Sequence, residues 1–227
     1  RVTFVGHPLA DVVKPSMTKE EAMAHFHGDP EAKRVLLMPG SRKNEVAGLL
    51  PVMLDAAGRL HQEMKCQFFL PRAETIPREM LDGFLRQAPE LSVEVTEGDQ
   101  YDLMQICHGC VASSGTATLE TALMELPTVL VYRLAAVTWF LAQRLVHVKY
   151  AGLPNLLLDR EVTPELLQDA VTGENIYGIL HTWLTDETAR QKTMEELKEV
   201  RRALGSGGAV HRTAELILQT AEGRNEY

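Results

Sequence analysis

The chain has 227 residues, 45% of them hydrophobic, enough to bury a substantial core as one large domain or two small ones. Its 31 acidic residues against 23 basic ones give a formal charge of -8, which excludes a general nucleic-acid surface and requires any polyanionic ligand to be met by a local basic site. No run of about 18–20 uninterrupted apolar residues is present, so the sequence predicts a soluble protein without a membrane-spanning helix.

In chain order, RVTFVGHPLAD opens on Arg1 rather than methionine, with a strand-like run from Val2 to Val5 that nothing introduces. It reads as a fragment of a longer protein or as a product of processing. His7, just after that run, reads as a satisfied core histidine rather than a cleft residue. Five β-rich runs follow: Arg34 to Met38, Gln67 to Leu70, Ser92 to Val95, Gly109 to Ser113 and Thr128 to Tyr132. Between them lie segments 45–64, 77–90, 101–108 and 115–126, whose apolar residues recur at three and four, as on one face of a helix. Runs apolar on both faces suit a parallel sheet covered by helices, so the predicted fold is α/β, a Rossmann-like doubly wound sheet.

Cysteines Cys66, Cys107 and Cys110 are odd in number, and CHGC at 107–110 has the spacing of a redox or zinc motif. Without further ligands at ordered spacing, buried thiols in a reducing compartment are the favoured reading, with no metal site. Between Tyr132 and Tyr150, Trp139, Phe140, Leu141, Leu145 and Val148 form a broad apolar face flanked by Arg133, Arg144 and Lys149. Packing against another part of the protein or a second subunit is preferred for it, with peripheral contact to anionic lipid as the rival. The tail reads as two helices, Glu187 to Arg202 and Val210 to Thr220, separated by GSGG at 205–208. The apolar face of the last, with Leu216 and Ile217, predicts a homodimer or a helix folded back locally.

A ligand in such a sheet lies beyond the carboxyl ends of its strands, near a switch in strand order, and two loops suit that place. In LMPGSRKNEV, Gly40 allows close backbone approach, Ser41 is a good helix N-cap, and Arg42 adds a guanidinium fork that matches phosphate oxygens. A diphosphate fits that chemistry; an ordinary capped turn with a solvated arginine is the alternative. There is no Walker loop and no GxGxxG. In SSGTATLETALMELP, Ser114, Gly115 and Thr116 make a small, hydroxyl-rich helix start, and Glu120 lies about one turn inside. A carboxylate there can accept both hydroxyls of a ribose, or it can simply support the helix dipole.

Together VGHPLAD at 5–11, PGSRKNEV at 39–46, SSGTATLE at 113–120, and LPNLL followed by PELLQ within 153–168 closely resemble the lipid-A-disaccharide synthase family of inverting glycosyltransferases. The motifs fall in the family's order as far as about Gln168; the later helices match only in general character. The resemblance implies the C-terminal, nucleotide-sugar-binding half of a GT-B fold, with residues 1–170 as the UDP-sugar domain and 171–227 as C-terminal helices that cross or exchange. It implies transfer of 2,3-diacylglucosamine from UDP to 2,3-diacylglucosamine 1-phosphate, on the cytoplasmic side of the inner membrane of a Gram-negative bacterium. Gly40, Ser41, Arg42, Ser114, Gly115 and Thr116 would hold the diphosphate, Arg42 stabilising the leaving group, and Glu120 the ribose. Asn155 and Gln168 stand where the family keeps polar residues near the donor, and Pro154 would present Asn155 from a rigid turn. No metal or other cofactor is implied, UDP being part of the donor. The partners are the UDP-sugar and an acylated glucosamine phosphate, with no nucleic acid. The general base would belong to the N-terminal half, so this chain alone should bind UDP weakly without turnover.

Two other readings remain at this level. Another GT-B enzyme, such as a UDP-N-acetylglucosamine 2-epimerase, would place a similar turn and glutamate around UDP, but would need further acidic and histidine residues that the sequence does not reveal. A non-catalytic nucleotide-binding or assembly module would ignore the sugar.

Overall fold

The computed structural model describes residues 2–134, 149–205 and 207–221. Among these, the strands are β1 (Lys33–Met38), β2 (Cys66–Pro71), β3 (Val93–Thr96), β4 (Gly109–Ser113), β5 (Thr128–Tyr132) and β6 (Glu165–Leu167). They form one parallel sheet in the order β3-β2-β1-β4-β5-β6. The helices are α1 (Leu9–Val12), α2 (Lys19–His25), α3 (Lys43–Glu63), α4 (Arg78–Leu85), α5 (Gln100–Met104), α6 (Thr116–Leu123), α7 (Leu153–Leu158), α8 (Gly173–Thr185), α9 (Glu187–Ala203) and α10 (Ala209–Ala221).

The doubly wound character follows from the strand residues. Side chains alternate across a strand, and on β1 Val35 and Leu37 point into one core while Leu36 points into the other. On the first face α3 and α8 cover the sheet with Leu49, Leu50, Met53, Ile176, Leu180 and Trp183. Opposite, Leu36, Phe69, Cys110 and Ala112 meet Leu103 and Met104 of α5 and Phe26 beside α2. A third cluster joins Leu119 and Leu123 of α6 to Leu197 and Val200 of α9. Every residue of β4 is buried, as a central strand requires.

Five strands lie where the β-rich runs predict them. β6 does not, because its three half-buried residues carry no apolar run; it is placed by pairing Val131 of β5 with Leu166. The expected strand from Val2 to Val5 does not form. Val2 is 99% exposed and Phe4 74%, and the Val5 carbonyl accepts a hydrogen bond from Arg212 Nε instead of a neighbouring strand. α8 is an addition to the two tail helices expected. Thr172 caps it by accepting from Asn175 N, and Asp186 both ends it and caps α9 through Ala189 N. Side chains before and after the expected boundary at residue 170 share one core, since α8 packs along α3.

α10 is tied down at its start, where the Asp11 carboxylate accepts from Gly208 N and Ala209 N. Farther along, Ile217 and Leu218 are 63% and 60% exposed. The helix folds back locally at one end only. No helix among the described residues is long and apolar enough to cross a membrane.

Candidate functional site

The strand order reverses between β1 and β4: the chain runs outward from β1 to β2 and β3, then returns to place β4 on the other side. In a parallel sheet the loops leaving these two neighbours open a crevice at their carboxyl ends. Both loops singled out in the sequence lie there. The cleft between them has a volume of about 370 Å³ and is lined by Gly40, Ser41 and Arg42 from one loop and Ser114, Gly115, Thr116 and Glu120 from the other.

Locally, Gly40 turns the chain with φ +107°, a conformation that side-chain-bearing residues rarely adopt. The helix cap falls one residue later than expected. Arg42, extended at φ -112° and ψ 139°, is the N-cap of α3, and its side chain caps none of the first-turn amides. Ser41 is instead fixed through its carbonyl, which accepts from Thr75 Oγ1 at 2.6 Å. Across the cleft Gly115 (φ +152°) is the N-cap of α6, so neither helix start has a side-chain cap, although Thr118 N donates to the Gly115 carbonyl.

The electrostatics are less simple than one arginine facing an empty anion site. Arg42 Nη1 lies 2.8 Å from Glu45 Oε1, with the arginine side chain 80% exposed and the glutamate 18%. The other oxygen of Glu45 rests against Gly40 where a Cβ would stand, so the close approach the glycine permits is taken by a carboxylate. An incoming anion must compete with Glu45 for both the guanidinium and the Gly40 turn. A second cation, Arg72, lines the cleft from the end of β2, paired with Glu97 at 2.7 Å and donating to the Ile76 carbonyl. Opposite, Glu120 Oε1 accepts from the Tyr101 hydroxyl at 3.1 Å.

Two expected ligand contacts lie elsewhere. Asn155 is 0% exposed. Its Oδ1 accepts from Val162 N and Thr163 N, and its Nδ2 donates to the Thr163 carbonyl and to Glu165 Oε1, which uses the amide's whole capacity. Asn155 is therefore internal, and its effect on the cleft is indirect. Glu165 also accepts from Ala151 N and Gly152 N, and the Ala151 carbonyl accepts from Ser114 Oγ. Gln168 stands after β6, outside the cleft lining, in a left-handed turn (φ +51°). Its Oε1 accepts from Leu134 N, while its buried Nε2 has no partner among the described residues.

The remaining expectations divide the same way. His7 is half-buried and accepts from Leu9 N at 3.2 Å through Nδ1, so it starts α1 rather than filling a core. All three cysteines are free and buried, and burial pushes the thiols up, Cys66 to about 11 and Cys107 to about 12, which makes them unreactive. Most of the apolar segment between 132 and 150, with Trp139, Phe140, Leu141, Arg144, Leu145 and Val148, lies outside the described residues. Of its basic flanks, Arg133 donates to the carbonyls of Gly48 and Val171, and Lys149 pairs with Asp159 at 3.4 Å.

A family model for lipid-A-disaccharide synthetase matches residues 1–220. The chain belongs to the lipid-A-disaccharide synthase family. A synthase of Geobacter metallireducens is 41% identical over 219 residues, covering 96% of this chain and 57% of the relative. One of Coxiella burnetii is 36% identical over 217 residues, again 95% of this chain against 57% of the relative. The chain thus spans somewhat more than half the length of these synthases, and the family likeness continues through α10, beyond the Gln168 limit read from motifs. Among solved structures, an S. aureus MnaA-UDP co-structure superposes with a TM-score of 0.64 at 14% identity, covering 96% of this chain and 54% of that one. WaaG, a glycosyltransferase involved in lipopolysaccharide biosynthesis, gives 0.61 at 14% identity, with 93% and 54% covered. The fold is that of one Rossmann-like half of such GT-B proteins.

Motif reading of the sequence missed Glu45, Arg72 and Gln100 in the cleft lining and Tyr101 behind it. Glu45 had a signal, being three residues inside the helix that Arg42 caps. Arg72 also had one, standing directly after the apolar run of β2. Tyr101 had none, because α5 meets α6 only through the tertiary fold.

Proposed function

We propose that this chain is the donor-binding half of a lipid-A-disaccharide synthase. The whole enzyme transfers 2,3-diacylglucosamine from UDP to 2,3-diacylglucosamine 1-phosphate and releases lipid A disaccharide 1-phosphate and UDP. The observation that carries the reading is the adjacency of β1 and β4, which sets the Gly40–Arg42 turn and the Ser114–Thr116 helix start on the two walls of one cleft.

In this reading the acceptor's 6-hydroxyl attacks the anomeric carbon, the bond from that carbon to the diphosphate oxygen breaks, and the configuration inverts. Negative charge grows on the departing UDP. Backbone amides at the starts of α3 and α6 and the Arg42 guanidinium, released from Glu45, stabilise that charge most when the bond is broken, which lowers the barrier rather than only tightening binding. Glu120 accepts from the ribose hydroxyls. The hydroxyl proton passes to a base outside this chain. No metal or other cofactor enters the scheme, and UDP arrives with the donor.

The same reading sets the enzyme on the cytoplasmic side of the inner membrane, where its acylated substrates lie, with the segment from 132 to 150 as a contact surface and α10 as a subunit or interdomain contact. Calorimetry of this chain with UDP, UMP and uridine tests the core of the proposal. The expected order of affinity is UDP, then UMP, then uridine, with Arg42→Ala lowering UDP affinity and leaving uridine unchanged. Equal affinities for the three, or an Arg42→Ala effect of the same size on all, would remove the diphosphate assignment.

A further inference from the structure

Glu120 reaches the cleft from α6, and its carboxylate is held from behind. The Tyr101 hydroxyl donates to Oε1 at 3.1 Å, although Tyr101 is not part of the cleft wall. The tyrosine ring is gripped on two sides: it packs against the cluster of Leu103, Met104 and Phe69, and against that of Leu119 and Leu123. A ring so clamped delivers its hydroxyl to one place. Burial, and after it the charge of Glu120, raise the phenol's pKa, so the group stays a donor across the physiological range.

A carboxylate on a flexible stem accepts from one hydroxyl as easily as from two. With Oε1 anchored by a rigid donor, the plane of the carboxylate is set and Oε2 is presented in one direction. Vicinal hydroxyls need such a fixed acceptor, because both O–H vectors must be met at once, and pre-orientation spares the entropy of fixing the side chain on binding. From this arrangement we infer that Tyr101 is a positioning residue that makes Glu120 selective for a diol, so that the cleft distinguishes a ribonucleoside diphosphate from its 2′-deoxy counterpart. The inference rests on the ribose role of Glu120 and adds the residue that gives that role its selectivity.

The test is calorimetry on the full-length synthase that carries this chain, with UDP and 2′-deoxy-UDP. The unmodified enzyme prefers UDP by about tenfold or more. Tyr101→Phe is expected to narrow the ratio to about threefold or less by weakening UDP alone. A purely structural tyrosine would weaken both nucleotides alike. Glu120→Gln is expected to narrow the ratio too. If Tyr101→Phe keeps the ratio while Glu120→Gln collapses it, the positioning role is overturned and the ribose role stands; if Glu120→Gln keeps it, both fall. 3-Fluorotyrosine at position 101, a stronger donor of nearly the same shape, covers the case in which Tyr101→Phe does not fold. It should keep or widen the preference, and narrowing overturns the proposal.

Discussion

Gly40 shows how one missing Cβ organises a site. Its φ of +107° strains any side-chain-bearing residue, and the space a Cβ would fill is held by Glu45. Gly40→Ala should therefore destabilise the protein by about 1–3 kcal/mol. Adding Glu45→Ala should recover the steric part and leave the backbone strain, a partial rescue visible in urea midpoints. Asn155 makes the opposite point, since a residue that pattern reading puts on the ligand has four internal hydrogen bonds. Asn155→Ala leaves buried groups at Val162, Thr163 and Glu165 without it, and a loss of about 3–5 kcal/mol is expected, measured as a lower Tm in the absence of any nucleotide. At this scale the sequence showed which residue types suit an anion. Whether Arg42 was free or held by Glu45, and whether Asn155 faced a ligand or the interior, depended on neighbours that no spacing rule supplies.

Among the elements, β1 carries an unusual load at its beginning. Arg34 is 6% exposed, and its guanidinium donates to the carbonyls of Ile106, Asp29 and Ala32. His108, leading into β4, accepts from Arg34 N at 3.0 Å, which ties the starts of the two central strands together. Burial first, and then the Arg34 charge, hold the His108 imidazole down at about 4, against 6.5 when unperturbed. The unfolded chain takes up that proton as pH falls through 6.5, while the folded chain resists until about 4. This contribution to stability is thus complete above pH 6.5 and is lost as the pH falls towards 4. Allowing for partial solvent access, about 1–2 kcal/mol should disappear across that window. Urea unfolding at pH 7 and pH 5 measures it, and His108→Asn, which keeps an acceptor and cannot titrate, should flatten the difference. Strands with continuous apolar runs, such as β4, were readable because burial on both faces dictates composition. The three residues of β6 were not, being placed only by the edge of β5. The run from Val2 to Val5 had strand composition but no neighbour to pair with.

For the molecule as a whole, the proposed reading gives this chain the groups that stabilise the leaving diphosphate and assigns none of its carboxylates as the base. The purified chain should bind UDP and form no disaccharide, whereas in the full-length enzyme Arg42→Ala should lower kcat by about 100-fold or more with a smaller change in KM. Disaccharide formation by the chain alone would contradict the first outcome, and a pure KM effect the second. The parallel sheet and the pairing of two loops across it followed from alternation and from the order of apolar runs. The position of α8 did not, because its amphipathic pattern gains meaning only once α3 is there to receive it.

One consequence of the β1–β4 junction concerns the life of the chain before it works. The two walls of the cleft come from residues 40–42 and 114–120, far apart in sequence, and the lateral pairing of β1 with β4, from Val35 with Gly109 to Met38 with Ala112, brings them together. On the proposed reading, a nascent polypeptide should not hold a uridine nucleotide until both strands have left the ribosome and paired. A nucleotide added during refolding should then act as a latch on finished molecules, retarding their opening while leaving the speed of collapse untouched.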